Sequence, residues 1–87
     1  MAYYEYLWSD ENGGNVEHIA EHGLTPDDWE FVFENFEDEG ISKTTGRLIR
    51  FGYTPDDRHI VVVFEWLDDE QILVLPMTAY DAPERKR

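Results

Sequence analysis

Cysteine is absent from this 87-residue chain, so no disulfide can staple it. A fold of this size must then be held by burial alone, and the absence suits a reducing compartment. Lysine and arginine are missing from residues 1–40, which carry twelve Asp and Glu; the seven basic residues all follow, set against eight acids. Nearly all of the net charge of −13 therefore sits on the first part of the chain. Nucleic acid is repelled from that side and a basic protein is attracted to it. Long apolar runs are absent too: residues 60–64 form a run far short of the ~20 residues a membrane helix needs. The start, MAYYEYLW, has no positive region and no small-residue cleavage site, so a secretory signal is not expected. These absences predict one soluble, cytoplasmic domain spanning 1–87, with no membrane partner.

What is present begins with aromatics: five Tyr, five Phe and three Trp place much apolar area on few positions. The stretch His59 to Leu67, HIVVVFEWL, is β-branched and aromatic without helical spacing, which predicts a strand buried on both faces. Residues 3–8, YYEYLW, suit a short strand, and DENGGN after them a loop. A first helix is expected over about Asn15 to His22, with Asn15 as cap, Val16, Ile19 and Ala20 on one face and Gly23 as the left-handed stop. The second starts more sharply. Thr25 caps, Pro26 takes the first helical position, and Trp29, Val32, Phe33 and Phe36 form one apolar stripe.

Residues 41–46 read as a polar loop or an irregular strand. From Arg47 the period becomes two, with Ile49, Phe51 and Tyr53 on one face and Leu48, Arg50, Gly52 and Thr54 on the other. The tetrapeptide TPDD occurs twice: at Thr25 helical spacing follows it, and at Thr54 a strand follows, so there it reads as a hairpin turn. A fourth strand is expected over about Gln71 to Ala79, with Pro76 marking a bulge, a strand end or a sheet edge. The fold class is α+β, an antiparallel meander of three to four strands with two N-terminal helices packed on one face.

Residues 18–22, HIAEH, match the H-x-x-E-H pattern of zinc peptidases, but a third ligand and a cleft are required, and a histidine near a helix end is favourable in its own right. The pairs Asp56–Asp57 and Asp68–Asp69 read as turn residues. The cations Lys43, Arg47, Arg50 and Arg58, with His59, gather around one hairpin. Arginines that hold a phosphodiester, with His59 or Tyr80 transferring the proton, are what RNA cleavage without metal or cofactor requires. Solvated strand residues paired with the abundant acids are the competing account.

Several of these pieces coincide in order and spacing: Trp8 before an acidic, Asn-containing helix start; His22-Gly23-Leu24-Thr25; the acidic helix through Phe33; Arg47 to Thr54 as R-x-I-x-x-G-x-T; Arg58 before the apolar strand; and Thr78-Ala79-Tyr80-Asp81-Ala82 with Glu84-Arg85. In these the chain resembles the BrnT-like family, toxins of toxin–antitoxin pairs with a RelE-type ribonuclease fold. The resemblance implies a basic RNA-cleaving face on the sheet and a DNA-binding antitoxin as partner. Tyr80 stands where the family typically has arginine, and the family's basic C-terminal extension stops here at Arg87. The expectation is a BrnT-like domain whose metal-independent ribonuclease site comprises Arg47, Arg50, Arg58, His59 and Tyr80, with activity weak or lapsed. The alternative is a non-catalytic acidic module that binds a basic protein. A homo-oligomer is compatible with either.

Overall fold

The apolar run at residues 60–64 has no polar alternation, so it can satisfy its backbone and side chains together only inside a sheet. In the computed structural model, which describes residues 3–83, this run lies within β4 (His59–Trp66). Ile60 to Phe64 are all buried there. The element order is β1 (Glu5–Tyr6), α1 (Asn15–Ala20), α2 (Pro26–Glu34), β2 (Asp38–Ile41), β3 (Leu48–Tyr53), β4 and β5 (Leu73–Asp81). The sheet order is β1-β5-β4-β3-β2.

The antiparallel meander is present, but the sheet has five strands and is mixed, because β1 pairs parallel to β5 through Glu5 with Leu73 and Tyr6 with Val74. Only two residues of the aromatic N-terminal stretch join the ladder; its rings cover the helices instead. Tyr4 and Tyr6 meet Phe33 edge-on, at 5.1 and 5.8 Å between ring centroids, and Trp8 meets Trp29 at 5.6 Å. Residues 38–41, which lie mostly before the loop or irregular strand expected over 41–46, pair regularly with β3 from Asp38 with Phe51 to Ile41 with Leu48. Their sequence, DEGI, has little strand propensity; closure of the β2–β3 hairpin onto an established strand supplies what the propensity lacks.

Helix α2 packs on β3 and β4, and α1 packs along β5. The buried cluster joins Ile19, Leu24, Trp29, Val32 and Phe33 to Ile60, Val62, Phe64, Val74 and Ala79. Helix α2 starts as its sequence dictates: the Thr25 side chain accepts from the Asp28 amide, Asp28 accepts from the Thr25 amide, and Pro26 follows the cap. Helix α1 is shorter than expected and is capped by Gly14 rather than Asn15. The Asn15 side chain is used elsewhere, accepting from the Ser9 amide and donating to the Leu7 and Pro76 carbonyls, which fastens α1 to β5. Gly23 adopts the left-handed conformation expected after α1, with φ of +74°. Pro76 marks a bulge: the register runs from Val63 opposite Thr78 to Phe64 opposite Pro76, passing over Met77. The turn at Thr54 closes as a β-turn, the Asp57 amide donating to the Thr54 carbonyl across Pro55.

Register also decides which face each β3 side chain takes. Leu48, Arg50 and Gly52 share the helix-covered face with Ile60, Val62 and Phe64, while Ile49, Phe51 and Tyr53 share the opposite face with His59, Val61 and Val63. At Gly52 the approach is so close that a Cβ would stand 3.1 Å from the Val32 Cγ1 and 3.4 Å from the Phe36 Cα. A larger residue at this α2–β3 joint would require Val32 to give way by a few tenths of an ångström. Helix α2 ends at Glu34, so Phe36, expected on its stripe, lies beyond it. No helix among the described residues is long and apolar enough to cross a membrane.

Candidate functional site

Of the five candidate site residues, two belong to the helix side of the sheet. Arg50 is buried, its guanidinium carbon 4.2 Å from the centre of the Phe33 ring and 4.1 Å from that of Phe36. Its Nη1 donates to the Phe33 carbonyl at 2.9 Å and its Nε to Glu39 at 3.1 Å. Arg50 thus satisfies a carbonyl left over in the last turn of α2 and neutralises part of that helix end. Its side chain is only 10 % exposed, so little of it is open to a polyanion.

Arg58 is a clamp. Its amide donates to the Thr54 hydroxyl, its Nε to Asp81 at 2.7 Å, and its two terminal nitrogens to the Gly23 and His22 carbonyls. Backbone and side chain of this one residue thereby join the exit of α1, the Thr54 turn and the end of β5. The hydrogen bond from Arg58 holds the Asp81 carboxyl below the usual carboxylate range. A lowered folded-state pKa stabilises the fold above the unfolded-chain value of about 3.9 and is lost as pH falls through the folded value. The stability advantage of the wild type over Asp81→Asn should therefore be full near neutrality and shrink as pH falls below about 4, measured by urea unfolding at each pH. A difference that stays constant down to pH ~2 would mean that Arg58 does not hold the ionised form. Asp56 is likewise held low, by the Thr54 hydroxyl that donates to it within the turn.

The other three candidates occupy the opposite, open face. Arg47 bonds Glu65 at 2.8 Å with both side chains about half exposed. His59 stacks on Tyr53 with ring centroids 4.4 Å apart and planes at 15°. Tyr80, opposite Val61, is partly exposed. His59 and the Glu65 partner of Arg47 are six residues apart on β4, roughly 20 Å along the strand, so His59 and Arg47 cannot act on one phosphate. Tyr80 bridges the gap: it is diagonal to His59 in the ladder and lines with Arg47 a cavity of about 380 Å³.

That cavity brings in the hydroxyls of residues 42–45, which were not among the candidates. Ser42, Thr44 and Thr45 of the β2–β3 loop, Thr78 of β5 and His18 of α1 line it, so hydroxyl groups outnumber its one arginine. The run S-K-T-T-G was the available signal, but a loop rich in hydroxyls is ordinarily a turn and nothing more. His18 and His22 stand 6.2 Å apart between ring centroids, and α1 ends at Ala20, so the H-x-x-E-H residues do not share one helix. Among the described residues, no group of three or more His, Asp or Glu side chains could hold a metal ion.

The charge layout is lopsided. Among the described residues the ion pairs are Arg47 with Glu65, Arg50 with Glu39 and Arg58 with Asp81. Of the twelve acids in residues 1–40, only Glu39 meets a cation there. Glu30 and Glu34 of α2 accept instead from the Trp8 indole at 2.8 Å and the Tyr6 hydroxyl at 2.5 Å. Burial, reinforced by the Glu34 carboxylate, pushes the Tyr6 phenol above its ordinary range, so that it remains a donor. The basic tip, residues 84–87, lies outside the described residues, and with it the Glu84-Arg85 part of the family resemblance. No family model matches this chain, and neither a curated protein nor a solved structure matches it.

Proposed function

We propose that the chain is a BrnT-like domain of toxin–antitoxin type that works by binding a basic protein, with ribonuclease chemistry weak or lapsed. The observation that carries this reading is the charge layout. Arg47, Arg50 and Arg58 are each bonded to a carboxylate and divided between the two faces of the sheet, whereas the first forty residues hold an almost uncompensated set of acids. Like charges gathered on one side repel one another, and a basic partner relieves that repulsion. The resemblance supplies such a partner class, a DNA-binding antitoxin. Binding of this kind weakens with salt, because the screening length falls from about 10 Å at 0.1 M to about 3 Å at 1 M. The test is a titration with a lysine-rich peptide at low and high salt, beside incubation with total RNA in the absence of metal. Salt-sensitive binding and intact RNA are the expected results. Rapid RNA cleavage by the wild type would overturn the reading.

The cavity shared by Arg47 and Tyr80 favours a second reading, a working metal-independent ribonuclease in which Arg47 holds phosphate and Tyr80 moves the proton. It requires that cleavage fall by about 10²- to 10⁴-fold in Tyr80→Phe.

A further inference from the structure

The helix-covered face of the sheet is not covered to its end. Helix α2 stops at Glu34, and beyond it Phe64, Trp66, Leu48 and Ile41 continue across β4, β3 and β2 as the floor of a cavity of about 330 Å³. Phe64 and Trp66 meet edge-on at 5.5 Å, and the Arg50 guanidinium lies over both rings and closes the inner wall. Ile41 is 64 % exposed, and Leu67 and Ile72 of the β4–β5 turn add exposed apolar surface close by in sequence. Scattered exposed leucines are ordinary, but an apolar hollow with aromatic walls and an exposed isoleucine at its lip resembles the centre of an interface.

Its surroundings carry one sign of charge. The run Glu37-Asp38-Glu39 leads directly into Gly40 and Ile41, and Asp68-Asp69-Glu70 precedes Gln71, which lines the hollow from the other side. The Glu39 side chain remains 56 % exposed despite its bond to Arg50, and Arg50 itself is enclosed. A second copy of this chain would bring acidic rim against acidic rim. We infer that the hollow beyond α2 is the docking site for a basic segment of a partner protein, one that inserts a large apolar side chain between Ile41 and Trp66 while its flanking lysines or arginines meet the two acidic runs. The inference rests on the basic-partner reading and locates it: the anchor is this apolar hollow rather than the outer faces of the helices.

The probe is a short synthetic peptide of lysines interrupted by leucine, titrated into isotope-labelled protein and followed by NMR. A version with alanine in place of leucine and a version with glutamate in place of lysine accompany it. The expected result is movement of the Gly40, Ile41 and Leu48 amide signals and of the Trp66 indole signal, with the Trp8 and Trp29 indoles unmoved. The alanine version should bind about tenfold more weakly, and Ile41→Lys should cost about the same factor. Because Ile41 is mostly exposed, that variant should keep the wild-type circular dichroism spectrum. Equal affinity for the leucine and alanine peptides, or signals moving only on α1 and the outer side of α2, would overturn the docking site and leave the basic-partner reading standing. Failure of every lysine peptide to bind would overturn both. Self-association that moves the same signals on concentration would replace the basic partner with a second copy.

Discussion

Replacing Trp29 by alanine should remove about 3 to 5 kcal/mol of stability, a large part of the roughly 4 to 13 kcal/mol available to a domain of this length. Trp29 is fully buried, stacks on Phe33 at 5.2 Å, and meets Tyr6 and Trp8 edge-on. Its indole N–H donates to the Thr78 carbonyl at 3.1 Å, so one side chain seats α2 on β5 and holds the N-terminal aromatics over both. The loss has two parts that a second variant separates. Trp29→Phe keeps most of the packing but leaves the Thr78 carbonyl without its donor, which costs about 1 to 3 kcal/mol. Urea unfolding followed by circular dichroism measures each, and the alanine variant should melt roughly 15 to 30 °C below the wild type. An alanine variant within 1 kcal/mol of the wild type would mean that α2 is not seated on the sheet through this residue.

Arg50→Ala should cost about 2 to 4 kcal/mol, through lost packing and a lost helix cap far more than through a lost ion pair. Glu39 is more than half exposed, so water replaces Arg50 readily there, and Glu39→Gln should cost under 1 kcal/mol. The Phe33 carbonyl and the aromatic faces around the guanidinium have no such substitute. Arg50→Met, which refills the space between Phe33 and Phe36 without donating to the carbonyl, should fall between the two. The order alanine, methionine, Glu39→Gln, read from chemical denaturation, tests the account; equal losses in Arg50→Ala and Glu39→Gln would show the ion pair to be the main term. The result also bears on RNA. Any effect of Arg50→Ala on cleavage should follow the folded fraction, since this side chain faces the helices and not the open face.

The meander and the second helix were legible in the sequence because local signals agreed with tertiary need: the Thr25 capping box, the stripe from Trp29 to Phe33, the period-two run from Arg47, and an apolar run long enough for one strand. What escaped was decided by distant partners. Nothing in DEGI announces a strand, and nothing in YYEYLW says that two residues will pair with β5 while the rings pack on α2. Four of the five candidates, Arg47, Arg50, Arg58 and His59, are close in sequence around one hairpin, with Tyr80 added from a later strand, yet the two-residue period that makes β3 a strand also sends Arg50 and Arg47 to opposite faces. Arg58 sits in a turn, where sequence gives no face at all. The hollow beyond α2 was invisible for a related reason: it exists because α2 ends before Phe36, and the apolar spacing continued past the point where the backbone turned away.

The pairing of β1 with β5 brings Glu5 beside Leu73, so that most of the chain lies inside the loop it closes. Closing a loop that long is entropically costly, and two ladder residues return little toward it, so β1 cannot take part in the nucleus that starts folding. The meander can form from neighbouring segments; the N-terminal strand joins once β5 is in place. Until β5 is in place, the segment that carries Tyr4, Tyr6 and Trp8 is not anchored to the sheet. Strand β5 is therefore the one that lets the N-terminal segment finish the core.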